Sequence, residues 1–418
     1  MKVLWFSNTP ALGQKYLNQQ LKGTGGWMAA LDKCVQEKVE LSIAFTYPYT
    51  LDSFKYGKTM YYPVFTGNII IENLRQRWLN KVYDRDFLEQ YLSIIEVVKP
   101  DIIHIHGTEN SFSCIINHVE IPIVISIQGN LSVINHKYRS GLFGEYIHTT
   151  LPKFNLKSLL LGKTNFYRSF KKMERMALIE KRNLINTNYI IGRTDWDKRI
   201  TRVMAPDSKY FVVNEILRDA FYENIWELQT IEGRLIIHTT NSDNYYKGFE
   251  TICHTLSLLN AYGLDVEWRV AGISENSLIT RIVKKFLKGT YPNKGLVLMG
   301  SLDEKQLVEK LQEAHIYVMT SHIENSPNNL CEAMILGMPC IATYAGGTGS
   351  LLTDNEEGIL IQDGDPWAMA GAILELRNNP EKAIEMGRKA RIRALERHNK
   401  ENITNDLIAV YQEIIDED

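Results

Sequence analysis

Cysteine is scarce in this chain. Its five residues, Cys34, Cys114, Cys253, Cys331 and Cys340, are odd in number and show no CxxC spacing, so neither a disulfide framework nor a zinc site is indicated and reduced core residues are expected. Long apolar runs are lacking as well. No stretch approaches the roughly 18 apolar residues of a membrane span, and the run in MKVLWFSNTP is too short for a signal peptide, so a cytoplasmic location is expected. There is no excess of charge of either sign: 47 Lys and Arg face 49 Asp and Glu, for a net charge of −2, which gives no reason to expect a nucleic-acid partner. Low-complexity segments and repeats of solenoid period are absent. So is any recognisable acidic cluster able to hold a divalent ion against phosphates, and no metal is expected to be required.

What is present is a long alternation of apolar strands and amphipathic helices. At 418 residues and 44% hydrophobic, the chain is too long for one ordinary core and suits two domains of roughly 200 residues. In the first half, strands are expected at Val3 to Phe6, Leu41 to Phe45, Asp101 to Gly107, Ile121 to Ile127, Asn188 to Gly192 and Tyr210 to Val213. Tyr56 to Phe65 reads as aromatic-rich and turn-like, and Arg75 to Val98 as a helix ending before Pro100. The run Gly23-Thr24-Gly25-Gly26 opens a helix near Trp27, where glycine lets backbone approach a ligand closely. His106 stands at the carboxyl end of its strand, where it faces a cleft and suits an acceptor site; His104 lies further inside.

The second half has the cleaner rhythm, with strands expected at Leu235 to Thr239, Val266 to Gly272, Leu296 to Gly300, Ile316 to Met319, Pro339 to Thr343 and Gly358 to Ile361. Its centre is His315 to Thr343. Ser326 offers an N-cap with Pro327 at the first helical position, and Gly337 and Pro339 close the helix. Such a unit sets ligands beyond the strand ends, facing the helix N-terminus. The backbone N–H groups of Asn328, Asn329 and Leu330 then suit a diphosphate, the Glu332 carboxylate suits the vicinal diol of a ribose, and Glu324 is free for hydroxyls of a second ring. Lys247, before Gly248 at the start of another helix, is placed to neutralise a leaving diphosphate.

Glu324, Ser326, Pro327, Asn328, Asn329, Leu330, Glu332, Ala333, Met334, Gly337, Pro339, Gly346 and Gly347 together resemble the retaining nucleotide-sugar glycosyltransferases called glycosyltransferase family 4. The match is strong from about Asn214 to Asn379 and looser before it. It implies an α/β protein of GT-B architecture, two Rossmann-like domains facing a cleft. The boundaries read from it are 1–205 for an acceptor-binding domain, 206–400 for a nucleotide-sugar-binding domain, and 401–418 for a helix crossing back to the first. It further implies that Gly25 and Gly26 face the donor phosphates or the acceptor, that Thr240 and Gly272 border the donor, and that Ser301 and Leu302 seat the base. His106 and Gln128 would line the acceptor side.

The chain departs from the family in three places. Gln128 stands where histidine is usual, Glu215 where glycine is usual, and Thr239-Thr240-Asn241 lacks the usual arginine, whose charge Arg218 or Arg193 could supply. The implied reaction transfers a hexose from a UDP- or GDP-linked sugar, as co-substrate with no other cofactor, to a glycan or lipid-linked oligosaccharide in bacterial cell-surface polysaccharide assembly. The basic, apolar-interleaved stretch Leu151 to Arg182 suits peripheral docking on the inner face of an anionic membrane. Two other classes share these features: a nucleotide-sugar 2-epimerase, which would release nucleotide without an acceptor, and a catalytically silent glycan-binding subunit, which would show no turnover.

Overall fold

The computed structural model describes residues 1–17, 26–66, 85–138, 140–142, 166–228 and 233–417. Among the described residues, fourteen strands form two sheets. The first takes β1 (Lys2–Ser7), β2 (Glu40–Tyr47), β3 (Phe54–Tyr56), β4 (Thr59–Phe65), β5 (Ile102–His106), β6 (Ile123–Ser126), β7 (Tyr189–Gly192) and β8 (Lys209–Val212). The second takes β9 (Leu235–Thr240), β10 (Val266–Ala271), β11 (Leu296–Gly300), β12 (Ile316–Met319), β13 (Cys340–Thr343) and β14 (Ile359–Ile361).

The orders are β3-β4-β2-β1-β5-β6-β7-β8 and β11-β10-β9-β12-β13-β14. All pairings are parallel except β3 with β4. Each sheet thus starts in the middle, runs to one side, and returns across its first strand, which is the doubly wound Rossmann order. The buried runs explain it: β1, β5, β12 and β13 are buried on both faces along almost their whole length, as strands covered by helices on both sides are.

Two readings of the sequence are corrected by this topology. Tyr56 to Phe65 is mostly a sheet strand, β4, registered along β2; Pro63 and the turn residues Gly57 and Lys58 hide a strand that has only a short hairpin partner beyond it. The boundary read near Pro206 falls too early, because β8 pairs with β7 in the first sheet and the chain crosses over only after Val212.

The helix Lys400–Glu417 packs on the first domain. Ile403, Leu407, Val410, Tyr411 and Ile414 join a core with Val3, Trp5, Leu31 and Ile43. The Tyr411 hydroxyl accepts from Trp5 Nε1 at 2.9 Å and lies 2.5 Å from His104 Nδ1, while His104 Nε2 reaches Ser126 Oγ at 2.5 Å. Burial drives the His104 ring down to about 3, with Arg193 adding to the effect, so this histidine is a neutral structural link between β1, β5, β6 and that helix.

Candidate active site

The carboxyl ends of both sheets face each other. From the second domain, Lys247 Nζ donates to Glu324 Oε1 at 2.6 Å, and Ser321 Oγ donates to the same oxygen at 2.6 Å. Burial works against the lysine's charge, but Glu324 outweighs it and holds Lys247 above its usual range. Backbone geometry fixes both partners. Gly248, at φ 69°, abuts Thr320, where a Cβ would lie 1.9 Å from the carbonyl oxygen. Gly346, at φ 58°, lies against Glu324, where a Cβ would meet the carbonyl at 2.0 Å, and the Gly347 N–H donates to that carbonyl at 2.9 Å. The paired glycines after β13 therefore clamp the Glu324 loop.

Glu332 is held in a bidentate pair, with Arg218 Nε and Nη2 donating to its two oxygens at 2.7 Å each. Burial pushes the Glu332 carboxyl up and Arg218 opposes it. Arg218 is thus committed to Glu332, and Arg193 is turned the other way, 3.5 Å from Glu215 and over the Trp27 ring at 4.7 Å.

The helix begins one residue later than expected. It runs Asn328–Leu336 with Pro327 as its N-cap, because Ser326 is not free to cap: its hydroxyl donates to Glu215. The Leu330 N–H is already bonded to Pro327 O and Asn329 Oδ1 at 3.0 Å, which corrects its assignment to the anion-binding set. Asn329 Nδ2 donates to Thr240 O at 2.7 Å, tying the helix to the end of β9. Gly272, Ser301 and Leu302 follow β10 and β11 on the same edge of the sheet. Leu302 is partly buried against the core, whereas Ser301 is exposed.

From the first domain, Gly26 lies against Arg218, where a Cβ would sit 2.7 Å from Cδ; Gly25 lies outside the described residues. His106 is buried with both ring nitrogens unpartnered, and burial, His104 and Arg193 keep it neutral. Gln128 stands beyond β6, half-buried. Asn325 was not singled out from sequence, yet it spans the cleft: Thr194 Oγ1 donates to its Oδ1 at 2.8 Å, and its Nδ2 reaches the Ile127 and Gln128 carbonyls at 3.4 Å. Its place between Glu324 and the helix start was the available signal.

A second bridge lies beside the first. Tyr138 and Leu142, from the excursion between β6 and β7, enter the second domain's core, with Tyr138 5.3 Å from the Tyr245 ring. Next to them His322 contacts Glu250 at 2.6 Å and Asp363 at 3.4 Å, and Asp363 accepts from Lys137 at 3.4 Å. Burial opposes protonation of His322, but Asp363 and Glu250 outweigh it and push the ring up to about 9. A folded value above the ordinary 6.5 means that the stabilisation is complete below about pH 6.5 and is lost as the pH rises through about 9. It amounts to on the order of 3 kcal/mol. Thermal melts should therefore weaken across that window, and His322→Gln should flatten the dependence; parallel profiles for both proteins would refute the assignment.

Among the described residues, Glu215, Cys331 and His398 bring potential metal-ligand atoms within 4.8 Å of one another. The group is buried, with Glu215 bonded to Ser326 just before the helix Asn328–Leu336. Arg193 and Arg397 already lower the Glu215 carboxyl against the effect of burial, which disfavours a further cation there.

Two parallel-sheet Rossmann-like domains with their strand ends turned to a common cleft define the GT-B glycosyltransferase fold. Within it, residues 221–393 match the family model of glycosyl transferases group 1. Sucrose-phosphate synthase from Thermosynechococcus elongatus has the same fold, with a TM-score of 0.74 at 13% identity over 100% of both chains. HepE from Anabaena, in complex with UDP-glucose, gives a TM-score of 0.65 at 12% identity over 99% of this chain and 100% of that one. By sequence, the chain is 26% identical over 202 residues to poly(ribitol-phosphate) alpha-N-acetylglucosaminyltransferase of Staphylococcus aureus, covering 45% of this chain and 40% of that protein. It is 25% identical over 136 residues to N-acetyl-alpha-D-glucosaminyl L-malate synthase of Bacillus anthracis, covering 32% and 35%. The matches thus span less than half the length of these curated relatives.

Proposed function

We propose that this protein is a retaining glycosyltransferase that moves a hexose from a UDP- or GDP-linked sugar to a glycan or lipid-linked oligosaccharide in cell-surface polysaccharide biosynthesis. The observation that carries the reading is the Lys247–Glu324 pair at 2.6 Å, set beside the helix Asn328–Leu336 within the group 1 domain. A donor entering between them gives each a new partner: Lys247 meets the diphosphate, Glu324 the sugar hydroxyls. The amides of Asn328 and Asn329 add to the phosphate site. Lysine and helix amides carry the charge of the leaving group, so no metal is needed for that task.

Retention follows from attack on the same face as departure, with the diphosphate taking the acceptor's proton. Gln128, a neutral amide on the opposite side, stabilises the developing oxocarbenium ion without a lasting bond. The test is a turnover screen of purified protein over nucleotide sugars and simple glycosides, with and without EDTA. Expected is transfer with retained configuration in both conditions; an inverted linkage, a trapped sugar adduct, or loss of activity in EDTA restored by manganese would each overturn the corresponding part.

We also read the first domain as a membrane-facing surface. Of the basic stretch, residues 151–165 lie outside the described part, and the rest is the helix Phe166–Leu184. Phe170 and Met173 pack inward and Lys171 pairs with Glu174, so the outward stripe is narrower than the composition suggests: Lys172, Arg175, Leu178, Lys181 and Arg182, with Ile185 just beyond. Leu178 and Ile185 are 70% and 60% exposed. Each basic group contributes on the order of 1 kcal/mol near an anionic surface. Charge reversal at Lys172, Arg175 and Arg182 should release the protein from phosphatidylglycerol vesicles; unchanged partitioning would refute the surface. Docking of this kind would keep the protein at the cytoplasmic face of the membrane, and no described helix is long and apolar enough to cross it.

A further inference from the structure

We infer that Tyr138 and Gly141, carried by the first domain, are positioning residues for the donor: they press on the two loops that bear Lys247 and Glu324 and hold that pair in register. The inference rests on the glycosyltransferase reading above and adds a part of the donor site that lies outside the second domain.

The strut that carries them is anchored firmly at its near end. The helix Leu131–Lys137 leaves β6 with Asn130 as its cap, Asn130 Oδ1 accepting from the Val133 N–H at 3.0 Å. Glu180, on the helix Phe166–Leu184, then clasps the first turn. The Leu131 and Ser132 N–H groups donate to its two carboxylate oxygens at 2.9 Å each, and Ser132 Oγ donates at 2.9 Å. Thr108 Oγ1, just past β5, donates to the same carboxylate. A negative charge met by the free amides of a helix start is favoured by the helix dipole. Seven helical residues then give about 10 Å of stiff rod, which transmits position instead of absorbing it.

The far end rests on the second domain. Lys137 Nζ lies 3.4 Å from Asp363, and the Tyr138 ring stands 5.3 Å from Tyr245 and 6.3 Å from Tyr246. Gly141, at φ 77°, passes so close to the His322 and Glu250 pair that a Cβ would lie 2.5 Å from His322 Nε2 and 2.0 Å from Glu250 Oε1. Leu142 fills the core beside them.

These are the loops of the donor site. Tyr245, Tyr246 and Lys247 form a single turn, with Lys247 Nζ 5.5 Å over the Tyr246 ring. The His322 N–H donates to Tyr246 O at 2.8 Å, which stitches that turn to the loop running on to Glu324. Thr320 Oγ1 extends the seam by donating to Lys247 O at 3.0 Å. The strut therefore touches the residue before Lys247 and the residue two before Glu324. A donor must part these two side chains, which lie 2.6 Å from each other. With the backbones braced, the side chains alone move and keep their aim. Without the brace the loops shift too, and small misplacements of this kind are costly to rate.

The experiment takes the purified full chain and its variants Tyr138→Ala, Tyr138→Phe and Gly141→Ala. Each is titrated calorimetrically with UDP-glucose, UDP-N-acetylglucosamine and GDP-mannose, assayed with the nucleotide sugar that gives most transfer, and unfolded in urea. Tyr138→Ala and Gly141→Ala should raise the donor Kd and KM roughly three- to thirtyfold, the range for residues that tune a site without touching its ligand. Their kcat should fall about tenfold, with the acceptor KM within about twofold of the parent's. Tyr138→Phe keeps the ring and should match the parent. A merely structural role lowers the rate in proportion to the folded fraction and leaves the KM values unmoved; that outcome, or a rise confined to the acceptor KM, would overturn this inference and leave the glycosyltransferase reading standing. If Gly141→Ala does not fold, Tyr138→Ala decides the matter. Neither binding nor transfer by the parent protein with any nucleotide sugar would overturn that reading, and this inference with it.

Discussion

Lys247→Ala is expected to slow sugar transfer by on the order of 10²–10³, the cost of removing one preorganised group that stabilises developing charge. Gly248 packs against the Thr320 carbonyl and so fixes the backbone that carries the lysine, and Glu324 keeps it protonated despite its burial. A charge held in place before the donor arrives need not reorganise when the diphosphate leaves. The alanine variant should weaken binding of UDP or GDP and of the intact nucleotide sugar alike, because both carry the diphosphate. Glu324→Gln should weaken only the nucleotide sugar. Calorimetric titration of both ligands with both variants checks this, and equal losses across all four combinations would show that the two side chains have been given the wrong roles. Lys247→Arg is not a conservative rescue, since a planar fork does not fit where a compact ammonium sits 2.6 Å from one carboxylate oxygen.

Glu332→Ala should act twice. As the ribose-binding carboxylate it should weaken nucleotide and nucleotide-sugar binding together, by roughly 1.5–3 kcal/mol. As the partner of Arg218 it should also destabilise the fold by about 3–5 kcal/mol, because a guanidinium only 16% exposed would lose both of its charged bonds. The two effects separate in the pair Arg218→Met, Glu332→Leu, which replaces the ions by apolar groups. Stability should largely return while nucleotide affinity stays low. Urea unfolding and calorimetry measure the two quantities, and a Glu332→Ala protein as stable as the parent would refute the structural half.

Most strands could be read directly, because parallel strands buried on both faces are short apolar runs such as Ile316 to Met319. β4 could not, since Pro63 and the nearby Gly57 and Lys58 resemble a turn until β2 is seen beside it. The chemistry of the site was legible where a residue type and a local turn carry it: Lys247 before Gly248, and Glu324 and Glu332 around a capped helix. Partnerships over long separations were not. Nothing in the order of residues joins Arg218 to Glu332 or Thr194 to Asn325; the first depends on how the second domain folds and the second on how the two domains meet. Ser326 reads as a helix cap by every local rule, and it is drawn away by Glu215, more than a hundred residues earlier. Glu109 and Asn8 are ordinary polar residues in sequence and meet only because β1 and β5 are neighbours.

The helix Lys400–Glu417 has a bearing on how the protein is made. The core of the first domain contains Tyr411 and Ile414, so while the ribosome is still producing the second domain, the first has a hydrophobic trough open along β1 and the helix Gly26–Val35. At roughly 5–20 residues per second, that exposure lasts on the order of ten seconds or more. A nascent chain stalled anywhere in the second domain would keep Trp5 Nε1 without its hydrogen-bond acceptor and the trough uncovered. Such a chain would be a client for chaperones and proteases even though its own eight-stranded sheet had been fully synthesised.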